Sequence, residues 1–324
     1  MPHVIVAGKL HPAGRALLDS AEDVTVRYIE EISEESYAPY IEDADALLIR
    51  TQPMSAATVA RADNLKIVSR HGVGFDAVDV AALNQRGIAL AVCGDVNSYS
   101  VAEHACMMIL GAAKRALRGD KSVRTGPWGW RNSLESQDLR GLNLLVLGYG
   151  RIGRHTAEMM SGFNMNIRAY DPYLMATSWP EGTVAPAEDL NEALAWADVI
   201  SVSAPKADKP LIGPAEFAQM KSGVVLVNTA RGGIVDEAAL IEALRSGKVS
   251  AAGLDVFEEE PVGDDNPIKE FDQVILSPHI AGVTEGASRR MAISSAQNIL
   301  DFFAGRIDPT LIVNREHVEA WAHA

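Results

Sequence analysis

The chain has 324 residues, 48% hydrophobic and 22% charged, which is enough for about two domains with their own cores and excludes a disordered chain. Lys and Arg number 29 against 43 Asp and Glu, so the net charge is −14, a sign that repels phosphate backbones and anionic lipid and argues against nucleic acid or a membrane surface as partner. Cys93 and Cys106 are too few for a disulfide framework, and Cys106, inside an apolar helical pattern, reads as core filler. The opening residues carry an apolar run only from Val4 to Gly8, short of a signal peptide or a span, and no later stretch approaches the roughly 18 apolar residues that a span needs. A cytoplasmic location is expected, and no metal site is predicted.

In chain order, short β-branched runs alternate with amphipathic helical stretches. Strands are predicted at Val4–Ala7, Val24–Tyr28, Ala46–Ile49, Lys66–Ser69 and Ile88–Val92. A long helix is predicted from Ser100 to Arg118, with Ser100 as N-cap and Glu103 completing a capping box. Its apolar residues run nearly all the way round, so it is expected to be buried on several sides. After the Gly/Pro/Trp-rich connector Thr125–Ser133 the rhythm resumes with strands at Leu144–Leu147, Ile167–Tyr170, Val199–Val202, Val224–Val227, Ala251–Leu254 and Val274–Leu276. A helix from about Thr284 to Ala304 ends the regular structure. Strands this short and apolar, alternating with helices, predict an α/β chain with two doubly wound parallel sheets.

The segment Gly148-Tyr-Gly150-Arg-Ile-Gly153 is a G-x-G-x-x-G between a strand and a helix beginning at Arg151, and Asp171 ends the next strand 18 residues after Gly153. Gly148 suits the tight turn, Gly150 the approach of a pyrophosphate, and Gly153 close helix–strand packing. The helix N-terminus offers unpaired N–H groups to the phosphates. Asp171 suits the two ribose hydroxyls and repels a 2′-phosphate, which favours NAD over NADP. Arg168, inside the strand pattern, reads as a surface charge.

Ligands of open parallel sheets bind beyond the carboxyl ends of the strands. Three later strands run there into Arg231, into the acidic turn Asp255-Val-Phe-Glu-Glu-Glu260, and into Ser277-Pro-His279. Hydride transfer to a ketone builds charge on oxygen, so a proton donor is needed, and histidine suits that task near neutral pH. A carboxylate neighbour orients the ring, and an arginine fork can hold a substrate carboxylate and polarise the carbonyl.

With these residues in place the chain resembles the D-isomer-specific 2-hydroxyacid dehydrogenases, phosphoglycerate dehydrogenase-like. The resemblance rests on Gly148–Gly153 with Asp171, on Asn228-Thr-Ala-Arg-Gly-Gly233, on Gly253–Pro261, on Ser277-Pro-His-Ile-Ala-Gly282, and on the helix beginning Ser100-Val-Ala-Glu-His104. It implies that Arg231 binds the 2-oxo acid, His279 is the acid/base and Glu260 its carboxylate partner. It also puts Arg151 and Ile152 at the pyrophosphate, Asp255 at the nicotinamide, and Thr229, Ala230, Ala204 and Gly282 along the cofactor. Arg70-His-Gly-Val-Gly-Phe-Asp76 looks like the family's glycine loop, whose Val73 and Gly74 N–H groups would hold the substrate carboxylate. The chain departs from the family where Ser203 stands in place of a frequent His. The implied architecture is a Rossmann NAD domain over residues 100–283 and a flavodoxin-like substrate domain from 1–99 and 284–324, typically in a homodimer.

Arg50, after Ala46–Ile49, resembles the arginine at a strand end in phosphoglycerate dehydrogenases and suits a substrate with a second anion. The expected activity is therefore NAD-dependent interconversion of a small 2-hydroxy and 2-oxo acid, with 3-phosphoglycerate first and hydroxypyruvate or glyoxylate reduction as the alternative. A reading of another class is an NAD-sensing interaction protein without turnover. The last predicted helix leaves about 20 residues, too few for the regulatory domain that some phosphoglycerate dehydrogenases carry.

Overall fold

The computed structural model describes residues 1–182 and 184–318. The chain divides into two compact units, one formed by residues 1–97 with the segment from 283 onward, the other by residues 98–282. Residues 319–324 of the expected substrate domain lie outside the described residues.

In the first unit, β1 (His3–Ala7), β2 (Thr25–Ile29), β3 (Ala46–Ile49), β4 (Ile67–Arg70) and β5 (Ala89–Ala91) form a parallel sheet in the order β2-β1-β3-β4-β5, the flavodoxin-like order. Successive residues of β1 serve opposite faces: Val4 and Val6 join one core, Ile5 and Ala7 the other. Burial on both faces explains why these strands read as unbroken apolar runs. The helix Glu285–Phe303, capped by Thr284, lays Ala292, Ala296 and Ile299 into the first of these cores beside Leu18 of the helix Pro12–Asp19. The late segment thus completes a sheet made by the first hundred residues.

Its final turn also closes the edge of that sheet. Val92 N–H donates to the Leu311 carbonyl and Val313 N–H to that of Leu90. Asn314, 3% exposed, accepts from Leu90 N–H at 2.8 Å and donates to the Ile88 carbonyl at 2.9 Å and to Asn84 Oδ1 at 2.8 Å. An edge strand that would otherwise expose its backbone groups is thereby paired.

In the second unit, β6 (Asn143–Leu147), β7 (Asn166–Tyr170), β8 (Ala185–Pro186), β9 (Val199–Val202), β10 (Val224–Asn228), β11 (Val249–Leu254) and β12 (Val274–Leu276) form a parallel sheet ordered β12-β11-β10-β9-β6-β7-β8. The direction of winding reverses between β6 and β9, which makes the carboxyl ends of those two strands the switch point. The two-residue β8 escapes a reading by periodicity because it is too short to have a period. Cys106 is buried in the core beside Met108 and Ile109, and Cys93 is buried in the first unit.

Two expectations need correction. The long helix begins at Ser98, so Ser100 is a buried residue within its first turn and not the N-cap. A serine followed by a glutamate three residues on recurs inside helices as well as at their start. The helix also stops at Ala113, and Arg115 adopts φ +53° before a second helix, Ala116–Arg124. Lys114–Arg118 are good helix formers, so propensity gives no warning. Tertiary bonds end the helix: Gln137 N–H takes the Ala113 carbonyl and Ser136 Oγ that of Lys114, the acceptors a continuing helix would offer to residues 117 and 118. Among the described residues no helix is long and apolar enough to cross a membrane.

Replacing Asn314 by Ala leaves Leu90 N–H and the Ile88 carbonyl without their side-chain partner. We expect a loss of about 2 kcal/mol by denaturant titration; an unchanged midpoint would show that the tail does not secure the edge.

Candidate active site

The turn after β6 is built by close backbone approach. Gly148 has φ +88°, and a Cβ there would stand 2.6 Å from the Ala204 backbone nitrogen, where β9 ends. A Cβ on Gly153 would meet the Gly148 carbonyl at 2.1 Å, so the helix Arg151–Ser161 can sit on its strand only with glycine at that position. Around Gly150 no heavy atom lies within 4 Å of the Cβ position. The helix starts with Arg151 exposed and Ile152 half-buried and has no side-chain cap, leaving its first N–H groups to a ligand.

Asp171 is held from both sides at the end of β7. Oδ2 accepts from Tyr149 N–H at 2.9 Å, and Oδ1 caps the helix Pro172–Thr177 through Leu174 N–H at 3.1 Å. Each oxygen keeps a further lone pair, so the carboxylate is fixed in place and still able to accept from a ribose. The Arg168 guanidinium stacks over Trp196, 4.7 Å from the ring centroid. Thr229 Oγ1 and Ser203 Oγ, near the ends of β10 and β9, are buried with no hydrogen-bond partner among the described residues. Buried hydroxyls rarely go unpaired, and these border the same carboxyl edge. Glycine cradle, uncapped helix start, fixed acid and orphaned hydroxyls together fit a dinucleotide.

Beyond β10, the Asn228 side chain clamps the next turn: Oδ1 accepts from Ala230 N–H and Nδ2 donates to the Arg231 carbonyl, both at 3.0 Å. The Arg231 guanidinium donates to the Ala230 carbonyl at 2.8 Å. A Cβ on Gly232 would lie 1.6 Å from the Phe257 carbonyl oxygen, so this turn presses directly on the acidic turn after β11. That contact brings Arg231 and Glu260 into one neighbourhood. Asp236 caps the helix Glu237–Arg245 that follows.

Two of the three consecutive glutamates, Glu258 and Glu260, have separate partners. Glu258 accepts from Glu237 N–H at 3.0 Å. Glu260 turns the other way: Oε1 accepts from Phe257 N–H at 3.0 Å, and Oε2 lies 2.7 Å from His279 Nδ1. His279 has φ +53°, a left-handed backbone that side-chain-bearing residues seldom adopt and that clusters at functional sites. A carboxylate only accepts, so Nδ1 carries hydrogen and Nε2 is left to exchange a proton with a ligand. Both side chains are substantially solvent-exposed.

Asp255, 1% exposed, lies just past β11, but its oxygens are engaged by its own neighbours, Ser277 Oγ and the Ile280 and Ala281 N–H groups. His104 reaches the same group through Ser277, a link between residues 173 positions apart that sequence spacing does not reveal. Ala230 and Gly282 are half-buried on the turns that carry Arg231 and His279.

In the first unit, Arg50 follows β3 and Arg70 ends β4, with half-buried Val73 and Gly74 in the next loop. Arg50 donates to the Lys9 carbonyl at 2.6 Å, while its Nε is buried with no partner among the described residues. Burial lowers the arginine's hold on its proton. Burial, with Arg50 and Arg70 nearby, pushes His71 down to about 3, so this imidazole is neutral at ordinary pH. The sequence reading singled out Arg50 but assigned no role to Arg70 or His71.

Asp171→Ala should weaken NAD binding about tenfold and narrow the preference for NAD over NADP, measured by nucleotide titration of the protein. An unaltered ratio would contradict the ribose assignment.

Residues 106–281 match the family described as "D-isomer specific 2-hydroxyacid dehydrogenase, NAD binding domain". The chain is 40% identical over 264 residues to a protein named D-3-phosphoglycerate dehydrogenase from Archaeoglobus fulgidus, covering 81% of this chain and 50% of that one. It is 36% identical to a protein named glyoxylate reductase from Thermofilum pendens, covering 97% and 95%. Among solved structures, the TT0316 protein from Thermus thermophilus superposes with a TM-score of 0.86 at 30% identity, covering 96% of this chain and 99% of that one. The chain spans about half the length of the archaeal phosphoglycerate dehydrogenase it matches. With the glycine cradle, the fixed acid and the whole-chain likeness agreeing, the chain belongs to the D-isomer specific 2-hydroxyacid dehydrogenases and its cofactor is NAD.

Proposed function

We propose that the protein interconverts a 2-hydroxy acid and its 2-oxo acid, and that the acid is 3-phosphoglycerate. The observation that carries the reaction is the 2.7 Å contact of His279 Nδ1 with Glu260, which leaves Nε2 as the proton-exchanging atom. NADH, when bound, supplies the hydride that reduces the carbonyl carbon. His279 delivers a proton from Nε2 to the nascent alkoxide and recovers it in the reverse direction. Glu260, pinned by Phe257 N–H, keeps the ring in this orientation and balances the imidazolium charge. Arg231 holds the substrate carboxylate and draws electron density from the carbonyl, a role for which a planar two-point donor is suited. Val73 and Gly74 N–H groups are assigned to the same carboxylate, and Gly148–Gly153, Asp171, Ala204, Thr229, Ala230 and Gly282 to the cofactor.

The phosphate is the finer part of the proposal. Arg50 and Arg70 stand at the carboxyl edge of the first sheet, and Arg50 follows β3, which pairs with β1 at that sheet's switch point. A buried guanidinium nitrogen without a partner favours an anion. Glyoxylate or hydroxypyruvate reduction is the second reading, favoured by the near-complete length match with the Thermofilum pendens protein. A homodimer, from the family resemblance, and a cytoplasmic location, from the sequence's apolar pattern, belong to the same proposal.

The test is oxidation of NADH against 3-phosphohydroxypyruvate, hydroxypyruvate, glyoxylate and pyruvate. The phosphorylated acid should have the highest kcat/KM. Arg50→Ala should lower that value roughly 30-fold and leave glyoxylate within about twofold, since one charge-assisted contact is lost. His279→Ala should abolish turnover of all four. Equal losses for both acids in Arg50→Ala would remove the phosphate assignment. NAD binding without turnover of any acid would favour the sensor.

A further inference from the structure

We propose that His104 and Ser277 are positioning residues for His279, acting through the buried carboxylate of Asp255; this rests on the reading of His279 as the acid/base. Four hydrogen bonds from the turn 277–281 converge on Asp255. Its carbonyl accepts from His279 N–H at 2.9 Å. Oδ1 accepts from Ser277 Oγ at 2.5 Å and Ile280 N–H at 2.9 Å, and Oδ2 from Ala281 N–H at 2.8 Å. These bonds hold His279 in its left-handed conformation, from which the ring meets Glu260.

The proton order in this network is forced. The Asp255 carboxylate, receiving backbone N–H groups on both oxygens, acts as an acceptor. Ser277 has one hydroxyl hydrogen, and it goes to Asp255. Ser277 Oγ must therefore accept in its contact with His104 Nε2 at 2.9 Å, so the hydrogen of His104 sits on Nε2. His104 Nε2 lies 3.7 Å from Asp255 Oδ1, and its side chain is 16% exposed on the helix Ser98–Ala113. The helix packs against β10 and β11, the strands whose ends carry Arg231 and Asp255. His104 thus stops rotation of the Ser277 hydroxyl, Ser277 completes the donor set of Asp255, and Asp255 sets the turn that aims His279. None of these three groups needs to touch substrate.

The experiment combines histidine-ring NMR with steady-state kinetics on the whole chain. In 15N-histidine-labelled protein at alkaline pH, where free imidazole is neutral, His104 should carry its hydrogen on Nε2 and His279 on Nδ1. Ser277→Ala and His104→Leu should shift the His279 ring nitrogens toward a tautomer mixture. They should lower kcat for oxo-acid reduction about tenfold and leave the KM for NADH within about twofold, the pattern of a misaimed group. His104→Gln, which keeps an amide donor at similar reach, should restore both readouts. A hydrogen on Nδ1 of His104, or wild-type His279 ring signals in both Ser277→Ala and His104→Leu, would overturn the proposal. The ring signals are read without turnover. Wild-type protein inactive on every acid, with the expected signals, would defeat the dehydrogenase reading alone. An active enzyme whose variants keep wild-type signals would defeat this inference alone.

Discussion

A carboxylate can only accept hydrogen bonds, and most of the site's chemistry follows from where three carboxylates are pinned. Glu260 is fixed by one backbone N–H and presents its free oxygen to His279, which dictates the ring nitrogen that must carry hydrogen. Asp171 is fixed by two backbone N–H groups and keeps lone pairs for a ribose. Asp255 accepts three hydrogen bonds from its own turn and sets local geometry. In the proposed reading the same side-chain chemistry serves proton transfer, cofactor recognition and scaffolding, and the number of local donors decides which.

Parallel sheets make this arrangement possible. All the strands end on one edge, so turns distant in sequence become neighbours there without long connections. The turns after β10, β11 and β12 carry Arg231, Glu260 and His279, and the close approach of Gly232 to Phe257 binds two of those turns together. In the first unit the corresponding edge carries Arg50 and Arg70 around a neutral His71. Each unit concentrates its functional groups on the edge where helix N-termini and loose strand ends leave backbone donors available.

Much of this was legible in the sequence because it is local. The strands buried on both faces appear as unbroken apolar runs, and the glycine turn with Asp171 fits within one strand–helix–strand unit. Strand ends place Arg231, an acidic turn and His279, and the family resemblance singles out Glu260 within that turn. What stayed hidden depends on contacts between distant segments. The break at Arg115 arises because Ser136 and Gln137 take carbonyls from the helix, against the preference of its own residues. The His104–Ser277 bond spans 173 positions. The separate partner of Glu258, the Glu237 N–H, is likewise set by a segment 21 positions away. The three bonds that Asp255 accepts from its own turn were hidden in the same way, since the motif that puts it at the nicotinamide says nothing of residues 277–281.

The central claim is that Glu260 aims His279 for proton transfer, and the most direct measurement is kcat for oxo-acid reduction in wild type and Glu260→Gln, with the KM for NADH alongside. Loss of the carboxylate that fixes Nδ1 should lower kcat about 100-fold and leave the KM for NADH within about twofold, the pattern of a misaimed proton donor. An unchanged kcat in Glu260→Gln would contradict the account.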